Sequence, residues 1–502
     1  MQRRTFFRTA FTAAAAVAVP IRPLRAGIFQ NARLAAQDLQ AVTGDGRLVT
    51  LTSSAIADFA SSLRGNVLLR GDAGYDDARR ILNPSIDRFP ALIAQPRGVS
   101  DIRAAVDFAR DNGGLLLAVK CGGHSPSGQS TCDRGMVIDL SLFRDVRIDS
   151  TARTARVTGG SLLGALDHEA MSLGLVTPMG TVSHTGVGGL VTGGGFGRLA
   201  RRFGLSVDNL VSVDVVTADG QLRHASASDN ADLFWGVRGG GGNFGIVTSF
   251  EFRLHPMQRQ VIGGEIVFPF QRAKDVLALY AEYGPQAPDE LQLDCAVVLP
   301  PTGQPGIAAF RVCWSGPPEG ADRALAPVRR LGSPIVDAIQ PMDYVMLQRS
   351  GDVTDPRAVG SYIKSGFIPS LPTPLINAIV DRFEAHPERT NILAFQHAGG
   401  AIGRVAPSAT AFPQRDAQAN MLCFVNWQYG MDPSAHIAWI KQYWEGLEPF
   451  THGFYVNDVE PDMTAQRVQE NYRQNHDRLV QVKNRYDPKN LFRLNANVAP
   501  TV

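Results

Sequence analysis

LLLAVKCGGHSPSGQSTCDRG, residues 115–135, is an apolar run that ends abruptly in glycines around a single histidine, His124. Residues 115–119 read as a short buried strand, and Gly122-Gly123-His124-Ser125, then Ser127-Gly128, turn it into a loop with almost no side-chain bulk. Such a loop can lie flush against a flat ligand, because glycine permits close backbone approach and positive φ. The hydroxyls of Ser125, Ser127 and Ser130, together with backbone N–H groups, suit an anionic group such as a pyrophosphate. His124 is then the reactive side chain, the alternative being a turn histidine with its ring hydrogen-bonded.

The chain around this loop has 502 residues, 44% of them apolar, which predicts two or three packed domains. A net charge of +2 with no basic run interleaved with aromatics argues against nucleic-acid binding and for a small-molecule partner. Five scattered cysteines without CxxC spacing argue against a zinc site and a disulfide framework; Cys121 and Cys132 flank His124 and could pair only if the loop folds back. Arg3-Arg4 followed by an alanine-rich apolar run to Val19 reads as a twin-arginine (Tat) signal peptide over residues 1–26. That predicts export of a folded protein to the periplasm or the exterior, and no other stretch is long and apolar enough to span a membrane. Residues 27–70 read as a lead-in.

From residue 71 helices and strands alternate: a helix ending at Pro84, strands over 91–94 and 115–119 with a helix over 100–112 between them, then strands over 136–140, 146–149 and 155–158 and a helix over 162–172. This predicts an α+β fold. A second glycine segment, GTVSHTGVGGLVTGGGFG (180–197), has eight glycines in eighteen residues, yet Val182, Val187, Leu190, Val191 and Phe196 are spaced through it. Linkers are polar, so this segment reads as backbone wrapped round a ligand. A third cluster at 239–245 matches GxGxxG at Gly240, Gly242 and Gly245, but a strand follows it where a dinucleotide-binding fingerprint needs a helix. No GxxxxGK[ST] motif occurs.

Beyond residue 257 the glycine clusters stop and alternating strands are predicted over 262–268, 292–299, 307–314, 392–397 and 421–429, with helices between them. They read as an antiparallel sheet for substrate, with Phe395, His397, Asn426 and Gln428 as candidates to face the ligand.

The GGH loop, TGVGGLVTGGGFGRLARRFGL, NLVSVDVVTADG, DLFWGVRGGGGNFGIVTSFEF and the closing YDPKNLFRLNANVAP together resemble the berberine-bridge-enzyme-like branch of the vanillyl-alcohol-oxidase flavoproteins. The resemblance runs in order along most of the chain. It implies a two-part PCMH-type FAD-binding domain over 71–257, a substrate domain over 258–452, and a segment 453–502 that returns to complete the FAD site. It implies that His124 bonds covalently to the 8α-methyl of FAD. Relatives with a second link carry a cysteine where this chain has Val182, so a single link is expected. From the first loop the expected FAD contacts are Lys120, Cys121, Gly122, Gly123, Ser125, Ser127 and Gly128, Cys121 being a departure from the family pattern. From the second they are Gly180, Thr181, Ser183, Gly186, Gly188, Gly189, Gly193, Gly194 and Gly195. Gly245, Ile246 and Val247 follow from the third cluster, and Asn495 or Asn497 from the closing motif.

Tyr455, in YVN (455–457), is the expected catalytic base, although an ordinary phenol is a poor one at neutral pH. His397 is a further catalytic candidate, and Thr185, just before GVGG, occupies the position where dioxygen reaches the flavin edge. The implied reaction is that of an oxidase: hydride leaves a C–H bond next to a hydroxyl, in a sugar, oligosaccharide or glycosylated metabolite, and dioxygen becomes hydrogen peroxide. Amine or ring-closing oxidation, a different electron acceptor, and a non-catalytic carrier are the alternatives. Attachment through a histidine nitrogen withdraws electrons and raises the flavin potential, and it keeps FAD from being lost after export.

Overall fold

The helix Val99–Asp111 shows how periodicity becomes architecture here. Ile102, Ala105, Val106 and Ala109 recur at three- and four-residue steps, and all are fully buried. At its start the buried Asp101 carboxylate accepts N–H groups of Arg64, Gly65 and Arg97, a favourable place for negative charge. At its end Gly113 and Gly114 take positive φ, which only glycine adopts without cost. The helix thereby links Leu92–Gln95 to Leu117–Lys120. In this computed structural model, which describes residues 37–352, 358–460 and 463–502, both strands belong to a four-stranded sheet ordered Asn66–Leu69, Leu92–Gln95, Met136–Asp139, Leu117–Lys120. The last three run parallel, and the C-terminal end of Leu117–Lys120 launches the GGH loop.

Residues 39–69, expected as lead-in, are packed: two short strands and the helix Ser53–Ser62 place Ala41, Leu51, Ile56 and Phe59 in the core of this sheet. The twin-arginine segment lies outside the described residues. A second, antiparallel sheet follows, ordered Leu222–Ser226, Leu210–Val216, Ile246–Arg253, Thr154–Thr158, Val146–Asp149.

The third sheet is antiparallel, has eight strands, and contains all five strands predicted beyond residue 257. Its far end runs Leu291–Leu299, Arg389–His397, Ala419–Gln428, Val359–Ile368, the last a strand the sequence reading missed. Side chains alternate between faces. Leu393, Phe395, Met421, Cys423, Val425 and Trp427 form one phase and pack on the helices Ala273–Tyr283, Thr373–Asp381 and Ser434–Glu445. Burying each large apolar side chain of that phase stabilises the fold by roughly 1.5–3 kcal/mol. Gln396, Asn420, Leu422 and Phe424 form the other phase and look toward the glycine segments. Among the described residues no helix is long and apolar enough to cross a membrane. The whole is the α+β fold expected from the sequence.

Candidate active site

The first two glycine segments meet backbone to backbone. A Cβ on Gly122 would run into the nitrogen of Gly186, and one on Gly186 would run into the Cys121 sulfur, so neither position admits a side chain. Gly123, at φ +70°, turns the chain so that His124 follows on the same surface. Together with residues 241–247 and the returning segments 455–458 and 492–496, these loops enclose a cavity of about 450 Å³ beneath the eight-stranded sheet. That is ample for a cofactor or substrate group.

His124 lies in its wall. Its Nε2 is 2.6 Å from Nδ1 of His184, and its Nδ1 is 3.3 Å from the Thr185 hydroxyl. Burial, reinforced by His184, pushes the His124 imidazole down to about 4, so it is neutral at physiological pH. All five cysteines are free thiols. Burial pushes Cys121 up to about 11 and Cys132 up to about 12, which keeps both protonated and far less nucleophilic than a thiolate.

Most expected contacts line this cavity: Cys121, Gly122, Gly123, His124, Ser125, Gly180, Thr181, Thr185, Gly186, Gly188, Gly189, Gly245, Ile246, Val247, Asn495 and Tyr455. Others do different work. Lys120 points away, donating to the carbonyl of Ala78 and standing 3.6 Å from the buried Asp139 carboxylate, so it braces the loop from behind. Ser183 donates through its hydroxyl (2.5 Å) and its backbone N–H (2.7 Å) to Asp352. Gly128 is a turn glycine at φ +78°, and Ser127 is buried off the cavity wall. Gly193, Gly194 and Gly195 press against Asn457, Phe412 and Ser206, leaving room for other parts of the protein rather than for a ligand. Asn497 is likewise off the wall.

His397 is fully buried on the helix-covered face. Its Nδ1 accepts from Leu293 N–H and its Nε2 donates to the Gly284 carbonyl at 2.9 Å, which fixes a neutral tautomer away from the cavity. Phe395 shares that face. The sequence reading chose the wrong phase of this strand: its neighbour Gln396 is the residue in the cavity wall. Asn426 and Gln428 are on the right face but ~7 and ~14 Å beyond Phe424 along the strand, at a rise of ~3.4 Å per residue.

Tyr455 is in the wall, 4% exposed. Its hydroxyl oxygen accepts from Gly195 N–H at 2.9 Å and from Asn457 Nδ2 at 2.7 Å. Burial, with the Asp458 carboxylate beside it, raises the phenol above its ordinary range. It therefore stays protonated at neutral pH, against the expectation that it is the base. Sequence reasoning missed Gln396, Phe424 and Asp458. Leu393 and Phe395 are apolar, but so are Ile392 and Ala394 in the other phase, so the strand's own sequence does not mark Gln396.

The cavity fits the group that the sequence implies. Ser130 Oγ and Asn495 Oδ1 are buried in its wall with no protein partner, two polar atoms suited to a polar ligand. A Cβ on Gly189 would meet nothing within 4 Å, so this backbone fronts open cavity and can approach a flat ring. His124 stands among these groups as the residue that could carry a covalent attachment.

Residues 90–226 match the family model of an FAD binding domain, and residues 454–499 match the model described as berberine and berberine like. An FAD-linked oxidoreductase of Dictyostelium discoideum is 31% identical over 89% of this chain and 97% of its own length. The crystal structure of 6-hydroxy-D-nicotine oxidase from Arthrobacter nicotinovorans superposes with a TM-score of 0.80 at 29% identity, covering 87% of this chain and 98% of the other. Xylooligosaccharide oxidase from Myceliophthora thermophila, in complex with xylobiose, superposes with a TM-score of 0.78 at 27% identity, covering 89% and 99%. A cavity built from three glycine segments, roofed by an antiparallel sheet and closed by a berberine-like C-terminal segment, agrees with these matches: the chain belongs to the berberine-bridge-enzyme-like FAD-linked oxidoreductases.

Proposed function

We propose that the protein is an oxidase acting on a C–H bond next to a hydroxyl in a sugar, oligosaccharide or glycosylated metabolite, with dioxygen as electron acceptor. The observation that carries this reading is the cavity, which has glycine backbone and a neutral histidine on one side and the Gln396 amide and Phe424 ring of the sheet on the other. An amide that both donates and accepts, beside an aromatic face, suits a pyranose ring. The xylooligosaccharide oxidase likeness supports the same class.

FAD, when bound, supplies the hydride acceptor and the route for electrons to dioxygen. His124 is the residue that would hold it covalently, and it alone, because Val182 offers no thiol and Cys121 is kept protonated by burial. The glycines at 122, 186, 188 and 189 let backbone approach the ring, and Ser125, Ser130 and Asn495 are the polar groups for the rest of the molecule. Tyr455, held protonated, can donate a hydrogen bond into the cavity, and the small side chain of Thr185 leaves space beside His124 for dioxygen.

A specific observation favours a second reading. The Asp458 carboxyl lines the cavity without a cation among the described residues, and a protonated amine would supply one. Oxidation of a cyclic amine is therefore the alternative, in line with the likeness to 6-hydroxy-D-nicotine oxidase. Export through the Tat route is part of the proposal and rests on Arg3-Arg4 with the apolar run behind them. Screening the purified protein for peroxide release against sugars, polyols, cyclic amines and phenolic alcohols tests the reading. Peroxide from a carbohydrate is the expected result; peroxide from amines alone selects the second reading, and none from any class overturns both.

A further inference from the structure

Asp458 ends the short 3-10 turn Val456–Asp458, where its backbone N–H donates to the Tyr455 carbonyl at 2.7 Å. Asp458 lines the cavity and is half-buried. Four neighbours matter. Tyr455 and Asn457 are on its own segment, and the Asn457 amide is committed to Leu190 and Tyr455. Asn420 and Gln396 are on the sheet, joined by a 2.9 Å hydrogen bond, and Asn420 Nδ2 is 3.5 Å from the Asp458 carboxylate. Lys364, the cation that reaches this segment, is paired with Glu460. Asp458 thus makes no ion pair among the described residues, and its carboxylate is held there by one long side-chain hydrogen bond, from Asn420.

A carboxylate so placed has spare acceptor capacity directed at whatever occupies the cavity. The alternative acceptor, Tyr455, already receives two hydrogen bonds at its oxygen and keeps its proton. We infer that Asp458 is the catalytic base of this site, taking the proton from the hydroxyl or amine of the substrate. The inference rests on the oxidoreductase reading of the same cavity and holds for either substrate class. As the substrate O–H (or N–H) bond breaks, its proton passes to an Asp458 oxygen, and the bonding pair forms the new C=O (or C=N) π bond. The neighbouring C–H bond would give up its hydride, for which FAD held in this cavity would supply the acceptor. The two electrons then reduce dioxygen, and the two protons released leave in hydrogen peroxide. Burial, partly offset by Asn420, pushes the Asp458 carboxyl up to about 7, so near neutrality it exists in both the form that takes a proton and the form that returns one.

The test is anaerobic flavin reduction in the holoenzyme, with xylobiose and pyrrolidine as probes, which separates the step from any use of dioxygen. Asp458→Asn keeps shape and volume and should slow reduction by about 100-fold or more and abolish the rise of rate through about pH 7 expected of the wild type, while FAD content stays unchanged. Asp458→Glu should recover part of the rate. Reduction of Asp458→Asn within about threefold of wild type, or persistence of its rise near neutrality, overturns the inference, as does loss of FAD from both variants. Should neither probe reduce the wild type, infrared titration decides. A carboxyl band that titrates near pH 7 and disappears in Asp458→Asn supports the assignment, and its absence overturns it. Normal reduction followed by failure of air to reoxidise the flavin would refute the oxidase reading and leave Asp458 as the base.

Discussion

Nε2 of His124 and Nδ1 of His184 face each other at 2.6 Å, so the two rings share one proton between them. His124 can thus pass a proton to a neighbour without charging itself in a buried site. The residue expected to bond FAD is therefore supplied with its own proton acceptor. His124→Ala should abolish covalent flavin while leaving some bound non-covalently, and His184→Ala should lower the covalent fraction with the fold intact. Flavin fluorescence on denaturing gels, with circular dichroism of the same samples, checks both.

The same histidine sets a pH dependence. Its folded value, about 4, is below the ordinary value near 6.5, so between the two the unfolded chain binds more protons than the folded one. The neutral form's contribution to stability is complete above about pH 6.5 and is lost as pH falls toward 4. Apoprotein melting temperatures measured across that window should fall more steeply on acidification in the wild type than in His124→Gln.

Thr185 places a hydroxyl 3.3 Å from the His124 ring in the cavity wall. Leucine there would fill the approach to the ring edge. Thr185→Leu should slow reoxidation by air about tenfold, or ~1.4 kcal/mol of barrier, with anaerobic reduction little changed. Stopped-flow measurement of the two half-reactions checks this, and equal loss in both would make Thr185 a packing residue.

The closing segment is anchored by a fully buried pair. Lys483 Nζ is 2.7 Å from Asp487 Oδ2 and also donates to the carbonyls of Asn243 and Phe492, while Asp487 receives the N–H groups of Leu491 and Phe492. Removing one partner strands the other, so Lys483→Met should cost about 3–5 kcal/mol. Lys483→Met combined with Asp487→Leu should recover part of it. Thermal denaturation of the apoprotein measures both.

Export is checked by Arg3→Lys with Arg4→Lys, which should leave the flavoprotein in the cytoplasmic fraction on cell fractionation.

Much of the fold was legible because its elements obey one period at a time. The helix Val99–Asp111 and the strands flanking it announce themselves by spacing, and the glycine segments by composition. What escaped depends on partners distant in sequence. The strand Val359–Ile368 hides because it contains Lys364 and Ser365, and Lys364 is acceptable inside only because Glu460 meets it from 96 residues away. Gln396 is no more conspicuous in the sequence than His397, because both phases of the strand are covered and only the position of the helices tells which phase faces the ligand. Asp458 carried no signal beyond following YVN. Its importance comes from the lack of a cation around it, which is a property of the packed cavity.

The most direct measurement is the mass of one peptide. Trypsin cleavage after Lys120 and Arg134 releases CGGHSPSGQSTCDR, which contains His124 together with Cys121 and Cys132. The account predicts that this peptide from the purified protein carries one FAD, and that fragmentation places it on His124. A peptide without flavin, or flavin located on either cysteine, would contradict it.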